Sequence, residues 1–234
     1  MALDVDPAIA RSQGDFLDVT LRYQRADEFL TAARGVWSEQ GYSFDGQHYH
    51  VFESGFPSPL SGHPFPRVVT SGISAEALDL GARQADVHLL PFDDALAGHR
   101  DGLGRLGSQY GRRVLVGLEV PVIAREDPEE AWARAARLFG QLPHAAGIGR
   151  PEHYRLDEHR WAGFGVLGLG APIGLVGSYD EVAQRLRELF DDGVDVFVLD
   201  GNPHVEEAYR LGQHLLPLLG DFPVTAVPAA QTAR

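Results

Sequence analysis

The sequence predicts an α/β fold of about four parallel βα units, which is half of a (β/α)8 barrel. Between residues 67 and 219, short apolar segments rich in β-branched residues alternate with helical patterns, and such strands are typical of parallel sheets buried on both faces. A closed barrel requires eight strands in about 250 residues. We therefore expect a partial barrel with two open sheet edges.

The composition narrows the class of protein. The 234 residues are 44% hydrophobic and 23% charged, with a formal net charge of -13, so one sizeable core is expected and binding to nucleic acid or an anionic membrane is disfavoured. The chain has no Cys, which excludes disulfides, thiolate-bound metals and a Cys nucleophile. We find no secretory signal and no apolar run of the ~20 residues that a membrane span needs, so a cytoplasmic protein is expected.

Three regions follow from the patterns along the chain. Residues 1–66 carry an amphipathic helix from Asp18 to Trp37 and a small hairpin at 42–49 that turns at 45–46. Residues 67–220 carry the βα units, and residues 221–234 form a flexible tail.

The βα region contains four predicted strands and several helix starts. The strands are expected at residues 67–70, 85–90, 114–124 and 194–199. Asp127 is a predicted N-cap followed by Pro128, and Ser178 with Glu181 forms a predicted capping box. The stretch 143–177, with eleven Gly or Pro residues, is too long for an ordinary connection and is predicted to be a mobile lid or a binding loop that can include helical pieces.

Four segments carry a resemblance to a known family. In order along the chain they are residues 22–30 (RYQRADEFL), 44–49 (FDGQHY), 175–178 (LVGS) and 201–209 (GNPHVEEAY). Together they resemble the alkanesulfonate monooxygenases, which belong to the bacterial-luciferase-like flavin enzymes. The likeness runs from about residue 14 to residue 219 and corresponds to the C-terminal portion of those proteins.

The resemblance implies a TIM barrel, a cofactor and partners. Members of the family bind reduced FMN, supplied by a separate flavin reductase, and use O2 to oxygenate a small organic substrate. Family members begin with about four further βα units that this chain lacks. We therefore expect either a complementary N-terminal half-barrel chain or a homodimer to cover the open edges.

Two segments are candidate cofactor contacts. Ser71, Gly72 and Ser74 lie where a strand meets a helix, in the loop where the family usually has Gly-Gly-Ser-Ser, and Ser71 replaces the first of those glycines. A helix N-terminus can bind a phosphate there, or the segment is an ordinary turn in which Ser74 is the N-cap. Gly201 and Asn202 lie in the segment after the last predicted strand.

His204, in the same segment, is the candidate catalytic residue. It follows the last strand at the C-terminal face, where such barrels carry their chemistry, and an imidazole there could donate a proton or bind a flavin edge. The alternative is a solvated residue at the start of a helix. The other histidines show no metal-ligand spacing, so no metal site is expected.

Glu119, Arg155 and Arg160 are candidate substrate or lid contacts. Glu119 and Pro121 occupy the positions where the family commonly has Arg and His, and Glu119 would repel an anionic sulfonate. Arg155 and Arg160 lie in the predicted lid, where they could close over an anionic ligand or belong to a solvated charged loop.

Three functions remain open at this point. The first is a flavin-dependent monooxygenase that needs a second half to complete its site. The second, favoured by the loss of Arg and His at 119 and 121, is a non-catalytic flavin-binding or assembly subunit. The third is an oxidoreductase that uses the deazaflavin F420.

Overall fold

The computed structural model describes residues 3, 6–55, 63–142, 145–168 and 171–220. These residues form two compact units. The first unit comprises the described residues within 1–88 and 99–114, and the second comprises those within 89–98 and 115–220. The predicted tail, 221–234, lies outside the described residues.

The elements of the described chain alternate between helix and strand for most of its length. In order they are α1 (Pro7–Ser12), α2 (Val19–Ser38), β1 (Tyr42–Asp45), β2 (His50–Ser54), β3 (Val69–Ser71), α3 (Ala75–Gln84), β4 (Val87–Leu90), α4 (Leu96–Gln109), β5 (Leu115–Arg125), α5 (Pro128–Gly140), α6 (Ala145–Ile148), β6 (Arg160–Trp161), α7 (Gly163–Leu167), β7 (Gly174–Ser178), α8 (Tyr179–Asp191), β8 (Val196–Asp200) and α9 (His204–Arg210). A 3-10 turn covers Pro151–Tyr154, and α9 continues into a π-helical turn at Leu211–Leu215 and a 3-10 turn at Leu216–Leu219.

Helix α2 confirms the first predicted helix. Asp18 is its N-cap and accepts a hydrogen bond from the Leu21 amide at 2.9 Å, which satisfies one of the free N–H groups of the first turn. Its buried residues Tyr23 and Ala26 pack against Ala77 and Leu80 of α3. This contact forms part of the core of the first unit.

The predicted hairpin is present as the antiparallel pair β1 and β2. Its second strand begins at His50 rather than within residues 42–49, because the connection is longer than the predicted two-residue turn. The carboxylate of Glu28 on α2 accepts hydrogen bonds from the amides of Gln47, His48 and Tyr49 at 3.0, 2.7 and 3.3 Å. The hydrogen bond from His48 is the largest cause of a pKa for Glu28 below its usual value. The connection is therefore held by α2.

Strand β5 organises the second unit. It has eleven residues, of which ten are buried, and it pairs in parallel with two later strands. Its first part pairs with β8 and its last part, Val122 to Arg125, pairs with β7. Strand β6 pairs with β7 in the antiparallel direction. The result is an α/β sheet with parallel strands, as the sequence predicted.

The expected number of strands was too small. Strand β7 lies inside the stretch that the sequence analysis treated as a loop, because only two apolar residues, Leu175 and Val176, stand between glycines. Both are fully buried. A β-carbon at Gly174 would lie 2.2 Å from the Pro121 carbonyl oxygen, so a glycine is required where the two strands approach each other.

The two predicted helix starts after β5 and β7 are confirmed. The Asp127 carboxylate accepts from the Glu129 amide at 2.8 Å and begins α5. Ser178 and Glu181 form the reciprocal capping box of α8, with the two hydrogen bonds at 3.2 and 2.7 Å. Each cap fixes where the chain reverses direction after a strand.

The stretch 143–177 contains secondary structure rather than an extended loop. Its described part includes α6, β6, α7 and β7. Trp161 and Phe164 are buried in one apolar cluster with Phe139 of α5 and Val176 of β7, and the Trp161 indole donates to the Pro151 carbonyl at 2.9 Å. This packing holds the middle of the stretch against the second unit.

The strands do not form a closed barrel within the part of the chain that the structure describes. There, β8 pairs with β5 alone, and none of the five residues of β8 is fully buried. None of the described helices has both the length and the apolar character to cross a membrane.

Candidate active site

The paired strands β5 and β8 have one face that is more accessible than the other. In their register Glu119 lies opposite Val198, and Pro121 lies opposite Asp200. Because side chains alternate along a strand, these four residues share a face, which we call the open face. Val198 is 44% exposed, whereas the two neighbours of Glu119 on β5 are fully buried. The predicted substrate residue Glu119 therefore lies on this face.

Asp200 and His204 contact each other at the C-terminal end of β8. The Asp200 Oδ1 atom lies 2.9 Å from the His204 Nδ1 atom and also accepts the Gly201 amide at 2.7 Å. The His204 side chain is 73% exposed and that of Asp200 is 26% exposed. The candidate catalytic imidazole is thus accessible, with one of its nitrogens held by a carboxylate.

A buried ion pair connects β5 to the helix that carries His204. The Arg125 guanidinium donates to both carboxylate oxygens of Glu207 at 2.9 and 2.7 Å, and the two side chains are 7% and 4% exposed. The hydrogen bonds to Glu207 raise the pKa of Arg125 above its ordinary value, although burial lowers it. Such two-pronged pairs fix geometry as well as charge.

Gly201 has a packing role in this arrangement. A β-carbon at Gly201 would lie 2.5 Å from the Glu207 β-carbon. The Glu207 side chain reaches Arg125 over the Gly201 backbone, so a larger residue would displace it. Next to it, the Asn202 carbonyl accepts from the Arg134 guanidinium of α5 at 3.2 Å, and the Asn202–Pro203 peptide bond is cis.

The segment from Ser71 to Ser74 lies in the first unit, between β3 and α3. Ser74 is the N-cap of α3, and its hydroxyl accepts from the Ala77 amide at 3.2 Å. Gly72 has a φ of +122°, a conformation that favours glycine, and Ser71 is exposed. The segment thus presents an exposed hydroxyl and the positive end of a ten-residue helix.

His88, one of the histidines for which the sequence analysis found no metal-ligand spacing, holds that segment in place. Its ring is fully buried. The Nε2 atom lies 2.8 Å from the Gly72 carbonyl oxygen and the Nδ1 atom lies 2.7 Å from the Thr70 hydroxyl. A carbonyl can only accept, so Nε2 carries the hydrogen and the Nδ1 of the neutral ring accepts from Thr70. Burial lowers the pKa of His88, with a smaller opposing effect from the Gly72 hydrogen bond.

The two predicted lid cations already have partners. The Arg155 guanidinium carbon lies 4.2 Å from the centre of the Trp132 ring, and Arg155 also donates to the Asp157 carbonyl at 3.0 Å. Arg160 pairs with Asp157 and Asp94 at 2.6 and 2.8 Å. Burial acts to raise the pKa of Asp157, but hydrogen bonds from Arg160 and nearby amides outweigh it and bring the value to about 2.

The predicted site residues therefore fall into three groups. The first group lies on β5, β8 and α9 in the second unit and comprises Glu119, Gly201, Asn202 and His204. The second, Arg155 and Arg160, belongs to the segment that packs on α5. The third, Ser71, Gly72 and Ser74, lies in the first unit.

Four residues that shape these groups were missed by sequence reasoning. Asp200 could have been found, since it lies four residues before His204. His88 stands among apolar residues of a strand, where a polar ring needs an internal partner. Arg125 and Glu207 are 82 positions apart, and nothing in the sequence couples them.

Comparison with known proteins identifies the family. The family model described as luciferase-like monooxygenase matches residues 5–196. The chain belongs to the luciferase-like monooxygenase family. The match confirms the wider luciferase-like family and does not distinguish the alkanesulfonate type that the motifs resemble. It ends before the 201–204 segment that carries His204.

Solved structures agree with this fold. EDTA monooxygenase (EmoA) from Chelativorans sp. BNC1 is similar with a TM-score of 0.72 at 19% identity, over 98% of this chain and 67% of that chain. Riboflavin lyase (RcaE) is similar with a TM-score of 0.69 at 16% identity, over 94% of this chain and 62% of that chain. An F420-dependent secondary alcohol dehydrogenase is similar with a TM-score of 0.60 at 13% identity, over 90% of this chain and 66% of that chain. This luciferase-like chain spans about two thirds of the length of each of these three proteins.

Proposed function

We propose that this chain supplies the C-terminal, flavin-contacting part of a monooxygenase that uses reduced FMN and O2 to oxygenate a small organic substrate. The observation that carries the proposal is the family match together with an accessible imidazole, His204, at the C-terminal end of β8. Luciferase-like barrels place their chemistry at that end of their strands. When bound, the reduced flavin supplies the electrons that activate O2.

The residues present fit a flavin phosphate in the first unit. The exposed Ser71 hydroxyl and the N-terminus of α3 offer hydrogen-bond donors and a positive dipole end. Gly72 leaves the approach uncrowded, and His88 holds its carbonyl turned toward the ring. Ser71, Gly72 and Ser74 are the residues that we expect to hold the phosphate.

In the second unit, the residues that we expect to contact the flavin or the substrate are Asn202 and His204. The His204 ring can take up a proton at Nε2, the nitrogen that Asp200 does not contact. Gly201 contributes by letting Glu207 pass over it. The open face would form one wall of the substrate site.

The partner that we propose is a second half-barrel. Within the described residues β8 has a strand neighbour on one side only, β5, and an unpaired strand edge is a template for another strand. An N-terminal half-barrel of about four βα units would pair with that edge and cover Val198. A homodimer is the other arrangement that satisfies the edge, and a separate NAD(P)H-dependent reductase would supply the reduced FMN.

The substrate is proposed only as a small organic molecule. Glu119 lies on the open face, and a carboxylate there repels the sulfonate that the alkanesulfonate monooxygenases cleave. Arg155 and Arg160, the cations that could offset it, are held by Trp132 and by two aspartates. These observations disfavour a sulfonate substrate.

A second candidate function is a non-catalytic flavin-binding or assembly subunit. Glu119 and Pro121 favour it, because neither offers the positive charge or the imidazole that the family commonly has at those positions. F420 in place of FMN is a further alternative, supported by the similarity to an F420-dependent dehydrogenase.

One experiment separates these functions. The chain is co-expressed with an N-terminal half-barrel, taken from the upstream reading frame or from EmoA, and the complex is titrated anaerobically with FMNH2 and with reduced F420. Oxygen uptake fuelled by NADPH and a flavin reductase is then followed with candidate substrates. FMNH2 binding with substrate-dependent oxygen uptake supports the monooxygenase, and FMNH2 binding without it supports the non-catalytic subunit. Tighter binding of reduced F420 than of FMNH2 would show that F420, and not FMN, is the cofactor.

A further inference from the structure

We infer that Asp200 is a positioning residue for His204: its carboxylate selects the imidazole tautomer with the hydrogen on Nδ1 and leaves Nε2 as the reacting nitrogen. This inference rests on the proposed function for the role of His204. Its geometric basis, the contact between Asp200 Oδ1 and His204 Nδ1 at 2.9 Å, is independent of any flavin.

The hydrogen shared by Asp200 and His204 can be assigned from the groups around it. Asp200 Oδ1 also accepts the Gly201 amide at 2.7 Å, so this oxygen presents lone pairs toward its neighbours. An ionised carboxylate can only accept. The hydrogen of the contact must therefore belong to His204 Nδ1, and the neutral ring has its lone pair on Nε2.

The elements that carry Asp200 and His204 are both held to β5. His204 is the first residue of α9, and that helix is held to β5 by the buried pair of Arg125 and Glu207. The Arg134 guanidinium holds the Asn202 carbonyl on the intervening segment. Asp200 ends β8, which is paired with β5 up to that residue. Both ends of the Asp200–His204 contact are therefore anchored to the same strand.

The Asp200 carboxylate determines which nitrogen of His204 can exchange a proton. A carboxylate on one imidazole nitrogen fixes the ring orientation and stabilises the charged ring after it takes up a proton on the other nitrogen. With Nδ1 engaged, proton transfer to or from a substrate occurs at Nε2. His88 provides the contrast, because both of its nitrogens have partners inside the first unit and its hydrogen is on Nε2.

Histidine tautomers are read directly by NMR on the flavin-free, full-length chain. The protein is labelled with 15N-histidine and examined at about pH 8.5, where ordinary imidazoles are neutral. His204 is assigned by comparison with His204→Gln. We expect His204 to show hydrogen on Nδ1, and we expect Asp200→Ala to move it toward the Nε2–H form that free imidazole side chains prefer. Asp180→Ala, an exposed change on α8, is the matched control and should leave the spectrum of His204 unchanged.

The His88 signals, with hydrogen on Nε2, report that each variant is folded. A wild-type His204 with hydrogen on Nε2, or one whose tautomer is the same in Asp200→Ala, overturns the inference. If Asp200→Ala does not fold, the wild-type tautomer alone decides.

Kinetics in the reconstituted complex give the second measurement. Asp200→Ala should lower kcat roughly 10-fold or more with KM changed less than about 2-fold, since an oriented acid or base contributes about 10²–10⁴-fold to a rate. Asp200→Asn, whose carbonyl oxygen can still accept from Nδ1, should recover part of the loss. If His204 keeps the Nδ1–H tautomer but the complex binds no FMNH2, the proposed function is wrong and the inference about the Asp200–His204 contact still holds. A change in KM alone, with an unchanged kcat, overturns the positioning role.

Discussion

Arg125 and Glu207 form a buried ion pair that joins the last residue of β5 to helix α9. Both guanidinium nitrogens that face Glu207 donate, at 2.9 and 2.7 Å, and the pair lies beneath the segment that carries His204. A local contact between distant parts of the chain thus determines where the candidate catalytic residue is held.

Removal of one partner of the Arg125–Glu207 pair should lower the free energy of unfolding. Glu207→Ala leaves the Arg125 charge buried without its carboxylate, which destabilises a protein by about 3–5 kcal/mol. The matched control is Glu188→Ala on α8, because Glu188 pairs with Arg185 at the surface and its loss should change the unfolding free energy by less than about 1 kcal/mol. Urea denaturation measures both. Equal effects of the two changes would show that the buried pair has no special weight, whereas Arg125→Met with Glu207→Leu should recover much of the loss.

Gly201→Ala tests the close approach of Glu207 to the β8–α9 connection. The new β-carbon would meet the Glu207 β-carbon at 2.5 Å, so α9 must shift, at a cost of about 1–3 kcal/mol. Gly104→Ala in the middle of α4 meets no atom within 4 Å and should stabilise the chain by about 0.5–1 kcal/mol. Thermal unfolding of the two variants should therefore move in opposite directions. A rise in Tm for Gly201→Ala would contradict the packing described for this residue.

His88→Ala should destabilise the first unit. The substitution removes two buried hydrogen bonds and leaves a cavity next to Gly81, for an expected loss of about 2–4 kcal/mol. The control is His153→Ala, since that side chain is exposed, and its effect should stay within about 0.5 kcal/mol. Chemical denaturation followed by tryptophan fluorescence gives both values. A His88→Ala variant as stable as the control would rule out the structural role.

The pH dependence of stability carries a second signature of His88. Burial lowers its pKa in the folded protein below the ordinary value of 6.5, so the unfolded chain binds a proton there more readily than the native chain. The stability that the neutral His88 ring contributes to the folded protein is therefore fully present above pH 6.5. It is lost as the pH falls from 6.5 through the lower pKa of His88 in the folded protein. Below pH 6.5 the wild-type unfolding free energy should decline more steeply than that of His88→Gln. Parallel curves for the two proteins between pH 8 and pH 5 would contradict the lowered pKa.

The sequence predicted the elements whose signals are local. Asp127 and the Ser178–Glu181 capping box each begin a helix by hydrogen bonds within three residues, and both predicted helix starts are confirmed. The helix predicted from Asp18 to Trp37 by the spacing of its apolar residues is confirmed as α2. The long apolar run of β5 was equally clear, since burial on both faces leaves almost no polar position in the strand.

The elements that depend on distant contacts could not be predicted in this way. Strand β7 has only two apolar residues and exists because Gly174 allows it to approach Pro121. The carboxylate of Glu28 that holds the hairpin, and the Arg125–Glu207 pair, join parts of the chain whose meeting is decided by the tertiary fold. At the site, His204 was found from its place after a strand, and Asp200 could have been found from its position four residues earlier. The 2.9 Å distance between them depends on where β8 ends and α9 begins.

We expect this luciferase-like chain to bind reduced flavin once a complementary half-barrel covers its open strand edge. The most direct test is an anaerobic FMNH2 titration of the purified complex between the chain and an N-terminal half-barrel. We expect saturable binding of about one flavin per complex, which Ser71→Ala combined with Gly72→Ala should weaken at least about tenfold. A complex that forms with a defined stoichiometry and binds no FMNH2 would contradict it.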